Sequence, residues 1–143
     1  MQEYLDLHNA YRAQHNATPL AWSDDLQATA QEYASDCTFA NPGGALGAVG
    51  TNLAAGTGDF SAAAAVVLFM SDEAEYNTTQ PTFSHFTQVV WKDSTQLGCA
   101  SAVCDQIFDE PATYHVCLYD PVGNVVGQEL SVNICHCSSI IHN

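Results

Sequence analysis

Apolar positions in the first half of this chain recur at spacings of three and four, and in the second half at spacings of two, so helices should come first and strands after. Over residues 2–15, Tyr4, Leu7 or His8, Tyr11 and Arg12 mark one face of an amphipathic helix, and Pro19 marks its end. Ser23-Asp24-Asp25 then offers an N-cap, and Leu26, Ala30, Tyr33 and Ala34 form the apolar face of a second helix reaching about residue 37. Asp59 or Ser61 can cap a third helix through the alanine-rich run as far as residue 75, before a polar turn at 77–81.

Between the second and third helices, residues 41–58 are crowded with glycine and follow neither period, which predicts an ordered but irregular loop. From residue 86 to 91 a β-branched and aromatic run alternates as a strand, and 99–104 and 114–119 read as two more. The expectation is a small antiparallel sheet after three helices. No internal repeat, linker or low-complexity tract interrupts the pattern, and the tail after Gly127 carries little of it.

At 143 residues the chain fits one domain with a sizeable core, read as 1–129 with a C-terminal tail at 130–143. Its longest apolar block, residues 62–70, is far short of the ~18 residues needed for a membrane span. Arg12 and Lys92 alone are basic against 16 acids, a net charge of −14 that would repel nucleic acid and anionic membranes and suits an acidic environment. Six cysteines in so small a chain point to a disulfide framework and therefore to export, and no cofactor is implied. Since no charged and apolar leader opens the sequence, the expectation is that a signal peptide has been removed and that Met1 was added for expression. The tripeptides Asn16-Ala17-Thr18 and Asn77-Thr78-Thr79 are glycosylation sequons that agree with secretion.

Three motifs narrow the reading: His85-Phe86-Thr87-Gln88-Val89-Val90-Trp91, then Gly98-Cys99, then Val116-Cys117-Leu118-Tyr119-Asp120-Pro121-Val122-Gly123-Asn124. Together with Tyr4, His8-Asn9, Arg12, Pro19-Leu20-Ala21-Trp22, Asn52-Leu53-Ala54 and Asp72-Glu73, they resemble the CAP superfamily of cysteine-rich secretory, antigen 5 and pathogenesis-related-1 proteins. Asp120 to Gln128 resembles fungal members more than animal ones, while residues 130–143 find no counterpart. The resemblance implies an α+β fold, a three-layer α-β-α sandwich with the sheet between helices. It also implies the disulfides Cys37–Cys104 and Cys99–Cys117. Cys135-His136-Cys137 departs from the pattern, with a local disulfide favoured over an intermolecular bridge or soft metal ligands with His142.

Many members of that superfamily carry two histidines and two glutamates in a cleft, a donor set suited to zinc. By resemblance the four positions here are Asn41, Thr51, Glu73 and His85, so half the donors are neutral and no metal site is expected. Glu73 and His85 are read as hydrogen-bonded to each other in a relict pocket. A triad of Ser84, His85 and Glu73 is disfavoured because nothing supplies an oxyanion hole, and no enzyme activity is expected. His8 belongs to the core, neither it nor His15 on the same helix is a site candidate, and His115 and His142 are read as surface or satisfied residues.

The resemblance implies secreted binding of hydrophobic ligands, with sterol near a loop holding Tyr76, Pro81 and Phe83, or fatty acid in a groove lined by Val66, Val67, Phe69 and Met70. The competing interpretation of those four is an ordinary core stripe. Host interaction or virulence follows by the same resemblance. The rival functional reading is a protein-interaction module whose acidic surface seeks a host or self protein.

Overall fold

The computed structural model describes residues 1–128. Their order is α1 (Gln2–Gln14), β1 (Ala21–Trp22), α2 (Asp24–Ser35), β2 (Gly50–Thr57), α3 (Ala62–Met70), a 3-10 helix (Ser71–Glu75), α4 (His85–Val89), β3 (Gln96–Cys104) and β4 (Ala112–Asp120). The expectations for Cys135, Cys137 and the 130–143 tail lie outside the described residues. Ser23 and Ser61 act as N-caps, their side chains accepting from the backbone N–H of Leu26 and Ala64.

The strands stand in the order β1-β3-β4-β2. β2 and β3 both run antiparallel to β4, and the two-residue β1 adds a parallel edge to β3, so the expected antiparallel sheet is mixed. Alternation along β3 and β4 sorts the side chains into two layers. Leu97, Cys99, Cys117 and Tyr119 face a core shared with α1, α3 and α4. Ala100, Cys104, Tyr114, Val116 and Leu118 face α2. The result is an α-β-α sandwich. The fully buried Trp91 anchors the larger core, and burying an aromatic of that size contributes on the order of 3 kcal/mol.

Two segments differ from the sequence pattern. Residues 85–89 form α4 rather than a strand. A reciprocal cap decides it: Ser84 Oγ accepts from the Thr87 N–H at 3.3 Å and Thr87 Oγ1 accepts from the Ser84 N–H at 2.8 Å. Phe86, Val89 and Val90 then fall at helical spacing, and all are buried. A β-branched run this short carries both periods, and the local hydrogen bonds choose between them.

The second difference is that residues 50–57 of the glycine-rich loop are strand β2, paired along its whole length with β4 from Gly50–Tyr119 to Thr57–Ala112. Small residues hide its alternation, and partners elsewhere require them. A Cβ on Gly56 would stand 2.6 Å from the Phe60 ring, and one on Gly50 would stand 2.2 Å from the Gln88 carboxamide. At Gly98 the neighbour is backbone, which cannot swing aside: a Cβ there would meet the backbone N of Gln27 at 2.3 Å where α2 crosses β3.

Both disulfides implied by the resemblance form. Cys37–Cys104 ties the segment after α2 to the end of β3, and Cys99–Cys117 joins directly opposed residues of β3 and β4.

Candidate functional site

Arg12 fixes where α4 stands. Its guanidinium is fully buried, with no carboxylate partner among the described residues, and is met by carbonyls: Nε donates to Thr18, Nη1 to Val89 and Trp91, and Nη2 to Ser94, at 2.7–3.0 Å. Burial lowers its pKa to about 10, so the cation persists at neutral pH. The C-terminal end of α4 is thereby held against α1. Its N-terminal end is held by Asn124, whose Nδ2 donates to the Ser84 carbonyl at 3.1 Å and whose Oδ1 accepts from Thr87 Oγ1 at 2.6 Å.

His85 is the first residue of α4 and faces a cleft of about 430 Å³. Its ring stacks on Phe69 with centroids 5.8 Å apart and planes 11° from parallel. Asp72 Oδ2 accepts from both the His85 backbone N–H at 3.0 Å and Nδ1 at 2.8 Å. A carboxylate accepts only, so Nδ1 bears a proton, and in the neutral ring the lone pair is on Nε2. The pair is open to water, His85 being 49% and Asp72 30% exposed in their side chains, so its worth to stability is small.

The acid beside His85 is therefore Asp72 and not Glu73. Glu73 Oε1 meets His15 Nε2 at 3.2 Å, on the other side of the segment. The 3-10 helix is the reason: with three residues per turn, positions 72 and 75 eclipse while 72 and 73 diverge by a third of a turn. Asp72 and Glu75 both line the cleft. His15 is buried, and desolvation lowers its pKa despite the nearby Glu73 carboxylate.

Asn41 and Thr51 also line the cleft, so three of the four expected positions, with His85, come together there. Asn41 Oδ1 is engaged by the Gly43 N–H at 2.8 Å, leaving its amide nitrogen for the cleft. Among the described residues, no three of His, Cys, Asp and Glu stand close enough to share a metal ion. Ser84, which also lines the cleft, accepts the Thr87 N–H with its Oγ to cap α4.

Tyr76 and Phe83 form an aromatic wall of the same cleft, backed by Phe86 at 5.7 Å and Trp91 at 6.0 Å respectively. Pro81 is exposed on the loop between them. The acyl-groove candidates part company: Val66, Phe69 and Met70 are 0%, 1% and 6% exposed within the core, and Val67 at 53% faces solvent. The sequence pattern passed over Asp72, Glu75, Thr82 and Asn124, all on the cleft. The Asp-x-x-Glu spacing and the Gly123-Asn124 pair were the available signals.

A hydrogen-bond chain runs from the core to this site. Asn52 Nδ2 donates to the His85 carbonyl at 3.0 Å and to Tyr119 Oη at 3.1 Å, and Tyr119 Oη in turn meets His8 Nε2 at 2.7 Å.

The family model described as the cysteine-rich secretory protein family, CAP, matches residues 5–119. Pathogenesis-related leaf protein 4 of Solanum lycopersicum is 41% identical over 137 residues, covering 89% of this chain and 80% of that protein. Secreted protein PRY1 of Candida albicans is 41% identical over 132 residues, covering 88% of this chain but 30% of that longer protein. The crystal structure of Na-ASP-1 superposes with a TM-score of 0.74 over 88% of this chain and 39% of that one; at 22% identity this likeness concerns the fold alone. Among the described residues no helix is long and apolar enough to cross a membrane.

Proposed function

The chain belongs to the cysteine-rich secretory protein (CAP) family, close to its pathogenesis-related-1 members, and we propose that it works outside the cell as a non-enzymatic binder of an amphipathic, sterol-like ligand in the His85 cleft. One observation carries the ligand class. Two aromatic rings, Tyr76 and Phe83, line one concavity together with polar groups that have no hydrogen-bond partner among the described residues: His85 Nε2, Asp72 Oδ1 and the Asn41 amide nitrogen. A flat apolar body with a single hydroxyl matches both halves. Acyl chains have less support, because the candidate groove residues are packed into the core or turned to solvent. Export is supported by the two disulfides and by the printed name of the Candida albicans relative. Host interaction is the finer part of this reading, supported by the pathogenesis-related names of the plant relatives. Comparing a strain lacking the protein with its parent for growth on a host tests that part.

Equilibrium binding of labelled cholesterol and labelled palmitate to the oxidised protein, with unlabelled competitor, tests the ligand. Saturable cholesterol binding abolished by Phe83→Ala is the expected result; saturable palmitate binding indifferent to Phe83→Ala contradicts it. A second reading, a docking module for a basic protein, has its own observation. Arg12 is fully buried, so Lys92 is the single basic side chain left to offset the acids at the surface. Stoichiometric capture of one basic partner in the absence of lipid would favour it.

A further inference from the structure

The two Asn-x-Thr tripeptides fold into unlike settings. Asn16-Ala17-Thr18 follows α1, and its backbone is part of the cage around Arg12. The Ala17 N–H donates to the Arg12 carbonyl at 2.9 Å, the Thr18 carbonyl accepts from Arg12 Nε at 2.8 Å, and Ala17 is 6% exposed. Asn77-Thr78-Thr79 lies in the loop between the 3-10 helix and α4, where every residue from 77 to 83 is exposed. There Asn77 Oδ1 accepts from Thr79 N–H at 2.9 Å and from Thr79 Oγ1 at 2.7 Å, and the Gln80 N–H closes the turn on the Asn77 carbonyl at 3.2 Å. All of these bonds are local to the turn. Among the described residues the carboxamide nitrogen of Asn77 has no partner for either hydrogen.

We propose that Asn77 carries an N-linked glycan and that Asn16 does not. The inference rests on the secretory half of the function proposed above. In the transfer, the carboxamide nitrogen attacks the anomeric carbon of a lipid-pyrophosphate-linked oligosaccharide. A carbon–nitrogen bond forms, the carbon–oxygen bond to the pyrophosphate breaks with its electron pair leaving on the lipid pyrophosphate, and the amide gives up one proton. The reaction reads an asparagine and the hydroxyl two residues on, so both must be reachable from the same side of the chain. At Asn77 they touch, on a turn with no buried anchor. Asn16 and Thr18 are themselves exposed, but the backbone between them is pinned: reshaping this tripeptide to fit a transferase would draw buried Ala17 and the Thr18 carbonyl away from Arg12, and an unsatisfied buried cation is costly. That tripeptide closes when the core closes. The loop that bears Asn77 also supplies Tyr76 and Phe83 to the cleft, which puts the glycan on the cleft's outer wall.

The experiment takes the full chain from the secreted fraction and from the cell lysate of its source. Peptides spanning both asparagines are read by mass spectrometry before and after amidase treatment in heavy-oxygen water, which leaves a labelled aspartate wherever a glycan stood. The expected result is label on Asn77 in most secreted molecules and none on Asn16. Asn77→Gln and Thr79→Ala should each abolish the electrophoretic shift, and Thr18→Ala, which keeps the carbonyl that Arg12 needs, should leave it intact. Secreted protein with unlabelled Asn77, or with Asn16 labelled more than Asn77, overturns the inference while secretion stands. A chain found only in the lysate with reduced cysteines overturns both.

Discussion

His8 accepts a hydrogen bond from Tyr119 across the junction of α1 and β4, and the direction of that bond is forced. His8 Nδ1 lies 2.8 Å from the Tyr4 carbonyl, which can only accept, so Nδ1 holds the ring proton and Nε2 receives the Tyr119 hydroxyl at 2.7 Å. A second pair mirrors it. His115 Nε2 donates to the Phe60 carbonyl at 2.8 Å, so its Nδ1 accepts from the Tyr4 hydroxyl at 2.6 Å. Each tyrosine and each histidine comes from a different element in the two pairs, so α1 and β4 are cross-bolted by hydroxyls that donate to neutral imidazoles. Burial pushes Tyr4 up to about 12 and Tyr119 higher still, which keeps both hydroxyls protonated.

Acid should loosen this junction. Burial lowers His8 from 6.5 to about 4, while an unfolded His8 takes its proton near 6.5. Between those values the unfolded chain binds the extra proton, so stability is fully present above about pH 6.5 and falls as pH drops toward 4, by about 3 kcal/mol from this group. His15 and His115 are lowered by desolvation and act with the same sign. Urea unfolding at pH 7, 5.5 and 4 should show the loss, with a shallower slope for His8→Gln. This runs against the acid tolerance that the surface charge alone predicts.

Arg12→Met should cost about 3–5 kcal/mol, because it strands three buried carbonyls, of Val89, Trp91 and Ser94, and the part-buried one of Thr18 at the meeting of α1 and α4. Lys92→Met, at a half-buried position outside that cage, should change stability by less than about 0.5 kcal/mol. Guanidinium denaturation of both variants measures the contrast; equal losses would mean that the carbonyl cage is not the cause.

The two disulfides should differ in worth through the loops they close. Their sequence separations are 67 and 18 residues, which in the chain-entropy model correspond to about 4 kcal/mol for Cys37–Cys104 and about 3 kcal/mol for Cys99–Cys117. Paired serine replacements compared by thermal unfolding should therefore rank Cys37→Ser/Cys104→Ser as the less stable.

Asp72→Asn and Glu73→Gln should separate cleanly. Asp72 sets the His85 tautomer, so Asp72→Asn should mix the two tautomers in the His85 ring nitrogen shifts and weaken cleft binding by about tenfold, one charge-assisted hydrogen bond. Glu73→Gln should leave both readouts unchanged and lower stability by at most about 1 kcal/mol, since Glu73 is half exposed beside His15. Matching effects from the two would return Glu73 to the cleft.

Much of this protein could be read along the chain because the signals are local. Ser23 and Ser61 cap the helices they precede, the apolar spacing of Leu26, Ala30 and Ala34 is the face α2 buries, and the cysteine motifs carry the family. The tertiary structure decided the matters in which one residue's state depends on another far away. Strand β2 exists because β4 pairs with it. Residues 85–89 became helical through the cap at Ser84 and the reach of Asn124 from beyond β4. Asp72 rather than Glu73 faces His85 because a 3-10 turn rotates neighbouring side chains apart, and a linear motif does not record rotation. Periodicity reports which positions want to be buried; partners and angles arise only when separate elements pack together.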